Sequence, residues 1–514
     1  MKELRLAHFA ARNPDAPAVV DTRGREWSRG TLQGTANRLS RALRAAGLER
    51  GDAIAMLAPN CIEFLAVYLA ATQIGLYVVP INWHLAPSEL EYVLVNSGAR
   101  ALFTHERQSR LVRSLRPEAT AALRVRLALG EIEGFQTLDS LMSSHPEEPI
   151  PDPSVGRLLV YTSATTGRPK AISLPLSDAQ IALDRTIAYH QSSGLDIEHE
   201  VHLCASTLYH IGPLDFVACA LHMGHKVVLV EQWEPELLLR MIHEHRVTST
   251  FMVPSMFVRL VKLPAATRAR YDVTSLKLVV HSAAPCPTET KREMIQWWGP
   301  VLREGYGASE GVGTAVSSEE WLRYPGTVGR PIPGSRILIL DDDGNEVPPG
   351  TPGQIYLTRY QGDRFEYKDD PEKTRAAYRG EFFTVGDIGY VNDEGYLFIC
   401  DRKIDMIICS GTKIYPAEIE QVLVQHPKIA DCAVFGIPDA LLGESVKAVI
   451  QPLPGVEAST ALTSEIKAYL SAHISATKIP RHIEYAETLP RDPNGKLYKR
   501  LLRDPHWAGH GRSV

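Results

Sequence analysis

Ten consecutive residues, Tyr161-Thr-Ser-Ala-Thr-Thr-Gly-Arg-Pro-Lys170, place four Ser/Thr hydroxyls, a turn glycine and a cation directly after the apolar Leu158-Leu159-Val160. Hydroxyls and exposed backbone N–H groups donate hydrogen bonds to phosphate oxygens, and a lysine adds a point charge, so the run is equipped to hold polyphosphate. It is not a Walker loop, because the G-x-x-x-x-G-K-[ST] spacing is missing and no hydroxyl follows Lys170. Taken alone it favours phosphate binding over the other reading, a Ser/Thr-rich surface turn.

Four further segments carry groups of the same kind. Glu304-Gly-Tyr-Gly-Ala-Ser-Glu310-Gly gathers an aromatic, a hydroxyl and a carboxylate on what reads as a glycine-rich loop. Gly380-Glu-Phe-Phe-Thr-Val-Gly-Asp387-Ile-Gly sets a carboxylate in a turn between glycines. Asp401-Arg402 opens a stretch that runs through Cys409-Ser410-Gly411 to Glu418 and Glu420, and Leu489-Pro-Arg-Asp-Pro-Asn-Gly-Lys496 follows near the C-terminus. Singly, Asp387 is also a plain turn aspartate and Lys496 a solvated surface lysine, since most charged residues are solvated.

The elements that must position these groups alternate. Thr31–Ala46 is amphipathic and ends at Gly47, Ala53–Leu57 is a short apolar strand, and Ile62–Ile74 reads as a buried helix before a strand at Leu76–Val79. Lys226–Val230, helical Glu236–His245 and Thr250–Val253 outline a β-α-β unit, and Leu278–Val280 is another buried strand. Such alternation predicts an α/β fold with largely parallel sheets. The Pro-rich run His145–Pro153 reads as a loop between subdomains. From about Arg336 hairpin signals take over: Ile337–Leu340, the turn at Asp343-Gly344-Asn345, then Ile355–Leu357 and the antiparallel piece Asp393–Ile399. Beyond Arg402 the chain is α+β, with helices near Ala417–Gln425 and Thr463–His473 and strands near Cys432–Gly436 and Ser445–Ile450. The expected organisation is a large N-terminal domain, 1–400, with a small β-rich subdomain, and a small mobile C-terminal domain, 401–514, of typical domain size.

At 514 residues the chain exceeds one hydrophobic core. A net charge of −5 with interspersed signs argues against a nucleic-acid partner, which calls for a basic stripe. Seven scattered cysteines without metal-ligand spacing suggest neither disulfides nor structural zinc, so a reducing cytoplasm is expected. The N-terminus lacks a signal-peptide core, and Cys61–Pro80, the most membrane-like stretch, is broken by Glu63, Gln73 and Gly75, so no membrane span is expected.

In order and spacing, the five segments resemble the signature motifs of the adenylate-forming superfamily, which includes acyl- and aryl-CoA synthetases, peptide-synthetase adenylation domains and firefly luciferase. The resemblance runs from about residue 5 to 505 and leans toward the acyl-CoA synthetase branch. It implies that ATP and Mg²⁺ convert a fatty, steroid or aromatic acid to its adenylate, that pyrophosphate leaves, and that coenzyme A or another small nucleophile accepts the acyl group. Thr162, Ser163, Thr165, Thr166, Gly167 and Lys170 would hold the pyrophosphate, and Glu310 would ligate Mg²⁺. Ser309 would reach a phosphate, Tyr306 beside Gly307 would lie against adenine, and Asp387 with Arg402 would hold the ribose. Lys496 would stabilise charge on the α-phosphoryl oxygens. His210 matches a position beside the acyl group and is almost as well read as a packed core histidine, and Trp297-Trp298 reads as packing. The segment His281–Cys286 would lie near the adenine and substrate floor. The family's C-terminal domain rotates between half-reactions, here about Asp401, and its second pose presents the Ser410-Gly411 face beside which pantetheine passes.

Three positions depart from the family pattern: Ala164, Ala171 and Ser410 stand where relatives have glycine, which admits positive φ and close backbone approach. They put CoA as acceptor in question. They keep open an ATP-dependent diazotase that activates nitrite for attack by an aryl amine, and also a nucleotide-binding homologue without catalysis. Which acid is activated, and whether the chain forms a homodimer, no motif tells.

Overall fold

Strand Ala53–Leu57 is buried at every residue and helix Ile62–Thr72 at nearly every one. A strand apolar on both faces belongs in the middle of a parallel sheet, and a helix apolar all round belongs inside a core. The computed structural model describes residues 5–162, 169–359, 364–491 and 497–508, and places both elements as their composition requires. The chain divides into two compact units that interleave along the sequence: 1–252 with 263–280 and 361–376, and 253–262 with 281–360 and 377–514.

The first unit holds two largely parallel sheets. In one, Ala53–Leu57 lies between Tyr77–Pro80 and Ala99–His105, and Val125–Leu129, Gln136–Thr137 and Arg157–Leu158 extend it, every pairing parallel. In the other, Val201–Cys204 pairs in parallel with both Lys226–Leu229 and Ser249–Met252, and Pro17–Asp21 joins Lys226–Leu229. The expected β-α-β unit is therefore present, with its two strands flanking a third rather than touching. Its helix, Pro235–His245, starts on a proline and buries Leu238, Leu239, Met241 and Ile242 on one side. Helix Arg29–Ala45 begins on Ser28, whose side chain accepts from the Thr31 N–H. The Pro-rich run 145–153 has no regular structure and joins two parts of this same unit, held by Arg41 to the carbonyls of Pro146 and Pro149.

The second unit is mostly antiparallel. Leu302–Ala308, Gly311–Ser317 and Arg330–Pro331 form one three-stranded piece. Ile337–Leu340, Gly353–Thr358, Asp387–Val391 and Leu397–Arg402 form the expected hairpin-rich sheet. Toward the C-terminus Ile429–Asp439 and Gly443–Pro452 make a long hairpin, covered by helices Pro416–Leu423 and Thr460–Ser471 around a core of Ile407, Ile419, Val434, Ile450 and Ile466. Among the described residues no helix is long and apolar enough to cross a membrane.

Candidate active site

In the first unit, Val160–Thr162 pairs antiparallel with Lys170–Ser173, and Thr162 stands directly opposite Lys170. The hydroxyl-rich run thus begins and ends on partnered strands, a frame that fixes where its two ends lie. Lys170 Nζ lies 5.9 Å from the centre of the Tyr367 ring. The expected pyrophosphate contacts Ser163, Thr165, Thr166 and Gly167, together with Ala164, lie outside the described residues, as does Lys496. Ala171 has extended strand backbone, is buried, and packs its methyl into the cluster around Leu57, Val79 and Leu159. A methyl there fills core, so this departure from the family pattern needs no altered path.

His210 precedes helix Ile211–His222 and is half-buried, its ring 4.5 Å from Tyr209, which packs edge-on to Trp83 at 4.7 Å. These three rings form an aromatic group, so the position suits either of the two readings.

In the second unit, the segment read as a glycine-rich loop is mostly strand. Tyr306 and Gly307 belong to Leu302–Ala308, and Ser309-Glu310 are the two residues that turn it back into Gly311–Ser317. Gly307 is required by close approach: a Cβ there would stand 2.5 Å from the Gly311 carbonyl oxygen and 2.6 Å from the Val312 Cα. Leu302, Glu304 and Tyr306 alternate onto the buried face. The Tyr306 hydroxyl donates to Asp387 Oδ2 at 2.6 Å, with both side chains nearly inaccessible. Burial first, and then the adjoining carboxylate, hold the Tyr306 phenol well above its ordinary pKa, so it remains a donor. Asp387 is opposite Arg402 in the hairpin, and Arg402 Nε lies 3.6 Å from the other carboxylate oxygen. The structure thus brings Tyr306, Asp387 and Arg402 together.

Glu310 is buried at the hairpin tip, and its carbonyl accepts from Arg359. No group of three or more His, Cys, Asp or Glu side chains suited to a metal occurs among the described residues. A single carboxylate nevertheless fits Mg²⁺, which is commonly held by one or two protein oxygens together with substrate phosphates. Ser410-Gly411 form the two-residue turn between Ile407–Cys409 and Thr412–Ile414, with φ of +49° and +79°. Positive φ at both central residues is the type I′ requirement, which glycine meets freely and serine does not. Asp401, at the expected hinge, lies in strand Leu397–Arg402 and accepts from the Ala417 N–H at 2.8 Å; burial pushes its carboxyl up to about 6.

Sequence reasoning missed a buried ion pair. Lys291 of helix Thr288–Trp298 is 1% exposed and bonds Glu304, two residues before Tyr306, while its ammonium lies 4.8 Å from the centre of the Trp321 ring. The signal was available: Lys291 occupies the helix-periodic stripe that Met294, Ile295 and Trp298 continue. His281 Nε2 lies 3.8 Å from the same Glu304 oxygen.

Residues 6–362 match the family model described as AMP-binding enzyme, and residues 418–496 match the AMP-binding enzyme C-terminal domain. The chain is 31% identical to the fatty acid–[acyl-carrier-protein] ligase ScoC of Streptomyces coeruleorubidus, over 98% of this chain and 96% of that one. It is 31% identical to a feruloyl-CoA synthase of an Amycolatopsis species, over 91% of each. Its fold is that of the anthranilate CoA ligase AuaEII solved with anthranoyl-AMP, with a TM-score of 0.86 at 24% identity over 98% of this chain and 97% of that one.

Proposed function

Because the chain belongs to the AMP-binding enzyme family and is an adenylate-forming ligase, we propose that it activates an aromatic or fatty acid with ATP and hands the acyl group to the thiol of coenzyme A. The acid's carboxylate attacks the α-phosphorus, the bond to pyrophosphate breaks, and the mixed anhydride with AMP then meets the thiolate, releasing AMP. Thr162 and Lys170, with Ser163, Thr165, Thr166 and Gly167, bind the departing pyrophosphate. Tyr306, flanked by Gly307, faces the adenine, Asp387 accepts from the ribose hydroxyls, and Arg402 lies beside that carboxylate. Glu310 holds Mg²⁺, which when bound neutralises phosphate charge, and Ser309 donates to a phosphate. Lys496 stabilises the charge that grows on the α-phosphoryl oxygens. The 401–514 segment acts as the mobile domain, turning about Asp401 so that Gly411 replaces Lys496 at the nucleotide for the second step.

The observation that most supports this reading is the buried Tyr306–Asp387 hydrogen bond with Arg402 beside it. A carboxylate fixed on one oxygen and leaving the other toward a half-exposed guanidinium is set to accept from a vicinal diol. A carrier-protein thiol is the second reading for the acceptor, favoured by the acceptor named for ScoC. The relatives named above act on acids, and nothing supports nitrite activation. Release of pyrophosphate and AMP is followed with ATP, Mg²⁺ and a panel of acids, with CoA, phosphopantetheinylated carrier protein or nitrite plus aryl amine added in turn. CoA-dependent turnover is expected. Lys496→Ala should abolish adenylate formation by a factor of at least about 10² while ATP still binds, and near-normal activity in that variant refutes the role.

A further inference from the structure

His281 ends the strand Leu278–His281 and is wholly buried, its ring edge-on to Phe257 at 5.1 Å between centroids. Neither ring nitrogen has a hydrogen-bond partner among the described residues. Glu304 Oε2, 3.8 Å from Nε2, is too far for a hydrogen bond and is already taken by Lys291. Leaving a buried imidazole unpaired is costly, and native structures seldom do so without a reason.

The surroundings suggest the missing partner. Directly after His281 the chain leaves the sheet: Ser282 Oγ donates to the Gly305 carbonyl at 2.7 Å, and Ala283 adopts φ of +76°, outside the range an alanine prefers. Ala283, Ala284 and Pro285 are exposed. The imidazole therefore lies one residue inside an exposed turn at the carboxyl end of a strand, where open α/β sheets take their ligands. Glu304, its neighbour, is on the same strand face as Tyr306.

We propose that the acid this enzyme activates carries an amino or hydroxyl substituent remote from its carboxylate, and that His281 pairs with that substituent beside Glu304. The inference rests on the adenylation reading above and on the 281–286 segment forming the acid's floor. A neutral imidazole offers one donor and one acceptor, which an amine or hydroxyl matches and a plain alkyl chain does not. Burial and the Lys291 ammonium keep His281 neutral, consistent with this use. A second carboxylate on the acid is disfavoured, because it would meet the Glu304 charge in a buried place.

The test compares kcat/KM for pyrophosphate release on benzoate, the three aminobenzoates, the three hydroxybenzoates and octanoate. At least one donor-bearing benzoate should exceed unsubstituted benzoate by about tenfold or more, because a site built to pair a polar group rejects the analogue lacking it. His281→Phe should erase that preference, lowering kcat/KM on the favoured donor-bearing benzoate about tenfold more than on benzoate itself, and His281→Asn, which keeps a donor and an acceptor, should retain part of it. Thermal unfolding of both variants confirms that they fold. Equal turnover of all benzoates, preference for octanoate, or an unchanged ratio in His281→Phe overturns the inference; the last outcome would mean that a buried water satisfies the ring. No pyrophosphate release with any acid, nor with any other acid of the wider panel, overturns the adenylation reading and this inference with it.

Discussion

Tyr306→Phe deletes one oxygen and isolates the Tyr306–Asp387 contact. The bond is 2.6 Å long, joins a phenol to a carboxylate, and is buried at both ends. A hydrogen bond to a charged group contributes about 1.5–3 kcal/mol, so the variant should lose stability by that amount. Arg402 does not compensate, because its nearest nitrogen is 3.6 Å away on a side chain 46% exposed, where solvent weakens the attraction. Without its fixed partner the Asp387 carboxylate must be ordered by the nucleotide instead. Immobilising one such side chain costs about 0.5–1.5 kcal/mol, which corresponds to roughly a two- to tenfold rise in KM for ATP. kcat should change little, because the interaction is made equally in the ground and transition states. Initial-rate pyrophosphate release at varied ATP gives both constants, and urea unfolding gives the stability. Because the Tyr306 phenol stays protonated, the ratio between wild type and variant should be flat from pH 6 to 9. An unchanged KM for ATP together with a stability loss under about 0.5 kcal/mol would show that the hydroxyl does not hold Asp387.

Restoring family glycines should have opposite effects at two sites. Ser410→Gly relieves a residue at φ +49° and should stabilise by about 0.5–1 kcal/mol, the left-handed penalty less glycine's extra chain entropy. Ala171→Gly removes a buried methyl from a strand and should destabilise by about 1–2 kcal/mol, so the urea midpoint of each variant checks the sign. Gly307→Ala forces a Cβ against backbone of the facing strand and should cost about 1–3 kcal/mol, with poor expression or a lowered melting temperature as the readout. His190, His202 and His222, held near 3 by burial, and His225, held near 4, are neutral in the folded first unit. Their folded pKa values lie below the unfolded one, so the stability they permit is full above about pH 6.5 and is lost as pH falls toward 3–4. Asp215, raised to about 7 by burial, acts with the opposite sign, leaving a net of roughly three protons taken up on unfolding near pH 5. Urea midpoints should therefore drop steadily from pH 7 to 5, and a flat profile refutes the assignment.

Much of this architecture could be read before any coordinates. The apolar strand Ala53–Leu57 and the nearly all-apolar helix Ile62–Thr72 belong in a buried α/β layer, and the turn at Asp343-Gly344-Asn345 between the strand-forming Ile337–Leu340 and Gly353–Thr358 announces a hairpin. The glycines around Tyr306 misled local reading, because they signal turns in general, whereas here Gly307 permits a close strand crossing. The Lys291–Glu304 pair escaped because partners thirteen residues apart, on a helix and a strand, leave no motif, and only a lysine within an apolar stripe announces them. Ala171 stands out in sequence only as an alanine where relatives have glycine, because sequence does not say which face of a strand a residue takes; the register places it in the core. Asp387 and Arg402 were found as motif residues, but that they stand cross-strand from each other came only with the pairing.

The Thr162–Lys170 register has an implication for how this enzyme tolerates insertions and deletions. Seven residues, 163 to 169, separate the two partnered positions. Adding or removing a residue among them need not disturb the flanking ladder, but it would shift the hydroxyls proposed to hold pyrophosphate relative to Lys170, so it should cost activity rather than fold. A single-residue deletion within Lys170–Ser173 is a different event: every later side chain in that strand changes faces, the methyl of Ala171 leaves the core, and a hydroxyl or a charge takes its place. Length changes before Lys170 should therefore show in turnover, and those within Lys170–Ser173 in folding.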